Sequence, residues 1–413
     1  MGERCIFHSD LNGFYASVEM MLDPKLAGKA VAVCGSTEDR HGIVLAKSEL
    51  AKKAGVKTGM VNHEAKQRCP ELILVQPHYE EYLKYSELAR DIYGRYTDQI
   101  EPFGMDECWL DVTGSLSLFG NGKSIADEIR ETMKRELGLS VSIGVSFNKI
   151  FAKLGSDLKK PDATTLISRE NFREKIWSLP ASEMIYIGRS TMSKLAGCGV
   201  RTIGQLAAMD RNVLRSIFGI VGEEMWKYAN GFDDSRVKHK DFEIPAKSVG
   251  HGITCNADLK NDEEVWKVLL ELSQDVGHRL RLHRLRAKGV QLSVRDNALF
   301  WRQAQSQLEF ASISPREIAE EAFRLFRKNY DWRREVRSLS VRAIGLIPIS
   351  DPYQGDFFTD AEKHEKIERF DNAVEDIRNR FGKNAIFSAS LMGDLKMPGK
   401  AGNEMKLPGM MYK

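Results

Sequence analysis

An α+β architecture of several domains is what this sequence predicts, and three observations predict it. The chain has 413 residues, enough for two to four hydrophobic cores. Up to about residue 167, short apolar runs alternate with helical periodicity, as in mixed α/β layers. Beyond Pro245, the strand patterns KGVQLSV and VRSLSVRAIGLIPI accompany two long helical patterns, which reads as an antiparallel sheet with helices on one face.

The elements follow in order. A strand and a helix occupy residues 3–23: an apolar run (Cys5, Ile6, Phe7) gives way at Asp10 to a polar turn, and Phe14 and Tyr15 open a helical pattern. Asp23-Pro24 breaks the chain. RHGIVLAKSELAKKAGVKTG then reads as strand, helix and Gly-bounded stop, in a small mixed segment reaching about residue 75. A helix is predicted over Tyr79–Thr97, then a strand–turn–strand around FGMDECWLDV, then a helix over Ser124–Leu137. The strand SVSIGVS, another helix and the strand TTLI complete this layer. Residues 170–240 read as short helices punctuated by Gly, and one amphipathic helix (about Ala361 to Arg380) lies past Asp351.

Composition narrows the class. With 42% hydrophobic and 29% charged residues the chain reads as a soluble globular protein. Six cysteines without a C-x-x-C pair argue against a disulfide framework or a zinc site and for the cytoplasm. No apolar run approaches the roughly 18–20 residues of a membrane span, and the strand-like start leaves no room for a signal peptide. The net charge of +3 decides nothing. Locally, Ala246–Gly345 carries eighteen Lys/Arg against thirteen Asp/Glu, and RLRLHRLRAK (Arg279–Lys288) has five basic residues and no acid. That run reads either as the outer face of an amphipathic helix or as a footprint for a phosphate backbone.

Two acidic clusters carry the chemistry. Asp10 ends the first strand; Asp106 and Glu107 sit within the apolar and aromatic stretch EPFGMDECWLDV. Acids in such a strand either face water at an edge or are compensated. If the two strands are neighbours, the three carboxylates converge, and charges about 4 Å apart repel by roughly 4 kcal/mol at an effective dielectric near 20. Divalent cations relieve that repulsion; hard oxygen ligands select Mg2+ or Mn2+, and a paired site supports phosphoryl transfer. Strand neighbours point to opposite faces, so Asp106 and Glu107 serve one site only if the chain turns or bulges there. In SIGVSFNKIFAKLGSDLKKP, the spacing puts Lys149, Lys153 and Lys160 on roughly one helix face, fit for a triphosphate or merely solvated. SLFGNGKS (Ser117–Ser124) mimics a P-loop but has Ser117 where the first glycine belongs.

Taken together, HSDLNGFYASVE, GIVLAKSELAKKAGVKTG, GMDECWLDVTGS, SIGVSFNKIFAKLGSDLKKP and GCGVRTIGQLA resemble the Y-family translesion DNA polymerases, the group of bacterial polymerase IV and UmuC-type enzymes. The resemblance spans most of residues 1–240. It implies a right-hand polymerase with a ferredoxin-like palm (1–23 and 76–167), small fingers (24–75) and a helix-hairpin-helix thumb (168–240). An antiparallel-sheet little finger (241–350) and a tail (351–413) follow. The implied function is low-fidelity translesion synthesis without a proofreading exonuclease, using two Mg2+ ions for which Mn2+ can substitute.

Residue by residue, the resemblance makes Asp10, Asp106 and Glu107 the catalytic carboxylates and metal ligands, with the Leu11 carbonyl in the shell. Tyr15 matches the steric gate against a ribose 2′-OH, Phe14 its neighbour in the nucleotide pocket, and Lys160 a triphosphate contact. Departures exist. Glu49 and Lys52 stand where many relatives have Tyr and Arg; Lys52 still supplies charge to the nucleotide but lacks the bidentate fork. Asn12 replaces a second Asp, and the thumb turn reads Tyr186-Ile187-Gly188 rather than Gly-x-Gly. Gly188 and Arg189 are expected at DNA, as are Arg281, Arg284 and Arg286. QGDFF in the tail is similar to clamp-gripping peptides, with Gln354, Phe357 and Phe358 as the contacts. Expected partners are primer–template DNA, deoxynucleoside triphosphates and a sliding clamp, with the chain a monomer. A nucleotidyl cyclase and a non-catalytic repair scaffold are the rival classes. The first lacks its Gly-Gly-Asp-Glu-Phe signature here; the second tends to lose the acids that this chain keeps.

Overall fold

At the first polar break the chain passes from strand to helix. In the computed structural model, which describes residues 3–38, 40, 42–351 and 361–398, β1 (Ile6–Leu11) is buried along its whole length. Gly13 then leads into α1 (Phe14–Leu22). Next come β2 (Val31–Cys34), β3 (Val44–Lys47), α2 (Glu49–Lys53), α3 (Asn62–Arg68) and β4 (Ile73–Val75). These strands form a small sheet in the order β3-β2-β4, with β4 parallel to β2. α2 begins where Ser48 accepts the Ala51 N–H, an ordinary N-cap.

α4 (Tyr79–Tyr93) ends four residues before the predicted Thr97, where Gly94 interrupts the pattern. β5 (Ile100–Pro102), β6 (Glu107–Asp111), α5 (Leu116–Phe119), α6 (Gly122–Leu137), β7 (Val141–Ser146), α7 (Lys149–Leu158) and β8 (Thr164–Ile167) follow. The P-loop lookalike is a helix cap: Asn121 accepts the Ser124 N–H at the start of α6. A five-stranded sheet in the order β5-β6-β1-β7-β8 places β1 at its centre, antiparallel to both β6 and β7.

Side chains of β1 alternate between two covered faces. Phe7 and Leu11 join the core that α4 and α6 supply through Tyr93, Ile92, Ile125 and Ile129. Ile6, His8 and Asp10 turn to the opposite face, where α7 lies. That helix comes very close to β7. A Cβ on Gly144 would stand 1.9 Å from the Ala152 carbonyl oxygen and 2.5 Å from the Ser156 nitrogen, so only glycine allows the approach.

α8 (Phe172–Ile176), α9 (Arg189–Gly197), α10 (Ile203–Ala208), α11 (Arg211–Phe218) and α12 (Ile220–Ala229) share a separate helical core around Leu195, Ile203, Leu206 and Leu214. A capping box between Thr202 and Gln205 starts α10.

A second compact unit takes in the chain from Pro245 on, with a short piece between β2 and β3. It contains β9 (Ser248–Leu259), α13 (Asp262–Leu282), β10 (Leu285–Asp296), β11 (Trp301–Ser312), α14 (Pro315–Asn329), β12 (Val336–Pro348) and α15 (Ala361–Phe381). Its antiparallel sheet runs β11-β10-β12-β9. The apolar stripe of α13 (Val265, Leu269, Leu272, Val276, Leu280) packs with that of α14 over the inward strand residues. Two expectations change here. α15 belongs to this unit rather than to a separate tail. RLRLHRLRAK is not one helix face: it spans the end of α13, a turn with Arg284 at φ 53°, and the start of β10. Among the described residues no helix is long and apolar enough to cross a membrane.

Candidate active site

Register decides which acids meet. Asp10 lies directly opposite Glu107 across β1 and β6, and His8 opposite Trp109, so these four side chains form a block on the face under α7. Asp106 reaches the same place by a turn. β6 starts only at Glu107, and the bend before it includes Gly104 at φ 95°. The Leu11 N–H donates to the Asp106 carbonyl at 2.9 Å, tying the end of β1 to that bend.

Two lysines from the α7 segment meet the acids. Lys153 Nζ lies 3.0 Å from Glu107 Oε1 and 3.4 Å from Asp10 Oδ2. Lys160 Nζ lies 2.7 Å from Asp10 Oδ2, and Asp157 joins both lysines at 3.3 and 2.8 Å. Burial works against the Lys153 charge, but Glu107, Asp10 and Asp157 outweigh it and raise its pKa. Burial raises the Asp10 pKa although Lys160 opposes it. Asp106 is pushed up to about 7, first by burial and then by Asp10 and Glu107. Among the described residues no three carboxylates stand close enough to hold a metal as they are. The three-acid convergence is thus partial: Lys153 reaches both Asp10 and Glu107, and its ammonium supplies the compensating charge. Lys149 leaves the expected basic face altogether, pairing with buried Glu101 at 2.7 Å beneath the Trp109 ring.

Beside the acids stands Tyr15. Its ring stacks on Tyr82 at 4.3 Å with an interplanar angle of 8°, and meets Tyr79 edge-on at 6.2 Å. Tyr82 is itself fixed: its hydroxyl donates to the carboxylate of buried Glu19, which also takes the His78 N–H. Burial, and then the Asp106 charge, raise the Tyr15 pKa, so the phenol stays neutral.

This geometry has relatives. The impB/mucB/samB family model matches residues 9–157, and the model of that family's C-terminal domain matches 246–357. DNA polymerase IV of Acetivibrio thermocellus is 48% identical over 95% of this chain and 98% of its own. That of Moorella thermoacetica is 35% identical over 93% and 95%, and DNA polymerase IV 1 of Bacillus subtilis 35% over 93% and 92%. The chain belongs to the Y family of DNA polymerases. A solved Y-family chimera built from Dbh and Dpo4 shares the fold, with TM-score 0.74 and 23% identity over 83% of this chain and 99% of that one.

The other residues that the Y-family pattern singles out fall as follows. Phe14 is 2% exposed, so its ring is a core side chain. Lys52 is exposed and pairs with Glu49 at 3.6 Å. Gly188 and Arg189 are exposed at the start of the nine-residue α9, and Tyr186 before them adopts φ 72°, the left-handed region that Gly would fill without strain. Arg281 and Arg286 do not form an open basic face. Arg286 pairs with Glu368 at 3.2 Å and Arg281 donates to Asn372 at 3.3 Å, both on α15, while Arg284 is exposed. The sequence treated the segment after Asp351 as separate, and so gave these arginines no acidic neighbour. Gln354, Phe357 and Phe358 lie outside the described residues.

Sequence reading missed a polar sheet face. Gln291, Ser293, Ser338, Ser340 and Arg342 lie on the sheet face opposite α13, in register with Gln303 and Gln305 of β11 and with Gly250, Gly252 and Thr254 of β9. The period-two glutamines of WRQAQSQ are the signal that marks it.

Proposed function

We propose that this chain is a DNA-directed DNA polymerase that extends primers on damaged templates, with low fidelity and without proofreading, using Asp10, Asp106 and Glu107 to hold divalent cations. The observation that carries the reading is the pairing of Asp10 with Glu107 across two strands, next to Asp106 and under Lys153 and Lys160. Hard carboxylate oxygens suit Mg2+ or Mn2+, and the lysines drawn to the cluster support its reading as a cation-attracting site. A pair of such ions would lower the pKa of the primer 3′-hydroxyl and carry charge on the leaving pyrophosphate.

The chain's own groups do the rest. Lys153 and Lys160, with Lys52 from α2, supply positive charge to the triphosphate oxygens. Tyr15 presents a rigid ring to the sugar and excludes a 2′-hydroxyl. The α9 N-terminus at Gly188 offers unpaired N–H groups to a DNA phosphate, and the polar sheet face of the second unit accepts the duplex backbone. A cytoplasmic location, a monomeric state and a sliding-clamp partner gripping Gln354, Phe357 and Phe358 belong to the same proposal.

Primer extension tests it. The wild-type chain should copy a template with Mg2+ or Mn2+, and Asp10→Asn or Glu107→Gln should slow it at least about 100-fold. A chain that lengthens no primer with either metal is a cyclase or a scaffold instead.

A further inference from the structure

His8 is wholly buried beside this cluster, and neither the gate nor the lysines account for it. The strand period sets it on the same face as Asp10, and the register places it diagonal to Glu107. Its ring meets Trp109 edge-on at 5.3 Å, which fixes the plane. Nε2 then stands 3.3 Å from Glu107 Oε2, and Nδ1 stands 2.8 Å from Ser156 Oγ. Glu107 Oε2 and His8 Nε2 are both buried and both lack a hydrogen bond, although they stand only 3.3 Å apart. The other Glu107 oxygen, Oε1, points to Lys153.

We propose that His8 Nε2–H donates to Glu107 Oε2, with the Ser156 hydroxyl fixing the imidazole tautomer, so that Oε1 is the oxygen presented to a cation. This rests on reading Glu107 as a metal-holding carboxylate. Proton counting selects the arrangement. Ser156 has one hydroxyl proton and two acceptors within reach, the Lys153 carbonyl at 2.8 Å and His8 Nδ1 at 2.8 Å. A proton given to the carbonyl forces Nδ1 to carry the ring proton, and a bare Nε2 lone pair then confronts the carboxylate. Given to Nδ1, it leaves the ring proton on Nε2, and both buried atoms gain a partner. The Lys153 carbonyl loses little, because it lies within α7 and takes the helical N–H four residues on. His8 is therefore a positioning residue, acting through Glu107 as outer partners of metal ligands do.

The test measures Mn2+ binding to the full chain on primer–template DNA, by electron paramagnetic resonance of the free ion, together with kcat and KM. His8→Asn places an amide where Nδ1 was, reaching Ser156 but not Glu107; His8→Gln reaches the Nε2 position. His8→Asn should weaken Mn2+ binding by about 10- to 100-fold and lower kcat with DNA affinity unchanged, and His8→Gln should recover most of that loss. Ser156→Ala should weaken Mn2+ several-fold, and it alone decides the matter if His8→Asn fails to fold. Wild-type Mn2+ affinity in His8→Asn, or equal behaviour of the Asn and Gln variants, overturns the inference. Glu107→Gln separates the two levels. If it binds Mn2+ like wild type, the metal-site reading itself falls; if it weakens binding while His8→Asn does not, only the role of His8 falls.

Discussion

The Tyr15 ring is held from behind, and at the residue scale that support matters as much as the ring. Tyr82 stacks on it in parallel, and its hydroxyl is anchored on buried Glu19. A stacked pair of this kind is worth about 0.5–1.5 kcal/mol. Tyr82→Leu should therefore raise ribonucleotide incorporation by up to about tenfold, with Tyr15→Ala raising it further. Tyr82→Phe should keep sugar discrimination while melting earlier, since Glu19 loses a buried donor. Competition between ribo- and deoxynucleotides in primer extension reads the first effect and thermal melting the second; unchanged discrimination in Tyr15→Ala would remove the gate. The place of Tyr15 beside the acids was legible because a recognisable motif surrounds it. Tyr82 was not: its contact with Tyr15 arises only when α4 folds back on α1. Tyr186 is the opposite case. Its sequence position suggested a lost glycine, yet the chain keeps the left-handed turn with a bulky residue.

Between residue and molecule, elements set the reach of the lysines. Lys160 lies in the link from α7 to β8, and that link is pinned from two sides. The Asp162 N–H donates to Asn12 Oδ1 at 2.8 Å, and its carboxylate is held by Arg130 at 2.8 Å and Lys134 at 2.6 Å, both on α6. Asn12 thus acts as a hinge pin: its Nδ2 donates to Ser142 on β7 at 3.0 Å. Asp162→Ala frees the link from α6 while leaving the carboxylates in place. It should raise KM for the deoxynucleotide roughly fivefold, the equivalent of about 1 kcal/mol, with kcat nearly unchanged in steady-state kinetics. An equal fall in kcat would show that Lys160 acts in the transition state instead. Elements were legible where periodicity was strong and ambiguous where two elements shared one charged run. RLRLHRLRAK looked like a single helix face because basic residues occupy α13, the turn and β10 alike. Only folding brings α15 and its Glu368 beside Arg286. The sequence could give the bend at Asp106 only as a condition, since a strand pattern does not show where pairing begins.

For the molecule as a whole, two compact units imply two separable stabilities. Leu110 lies in the core beneath the central sheet and Leu272 in the core of the second unit; both are fully buried. The break at Pro245 was visible as a change from mixed periodicity to long alternating strands, because each unit buries its own apolar pattern. Leu272→Ala should cost about 2–5 kcal/mol and lower one calorimetric transition by roughly 5–15 °C, leaving the other where it was; Leu110→Ala should do the reverse. Every charged residue of the candidate site, from Asp10 to Lys160, lies in the first unit, while the polar sheet face lies in the second. At a temperature between the two transitions of Leu272→Ala, Mn2+ binding should therefore persist while affinity for primer–template DNA, and its steep salt dependence, diminish. A single transition displaced by either substitution, with metal and DNA binding lost together, would show that the two cores melt as one cooperative body.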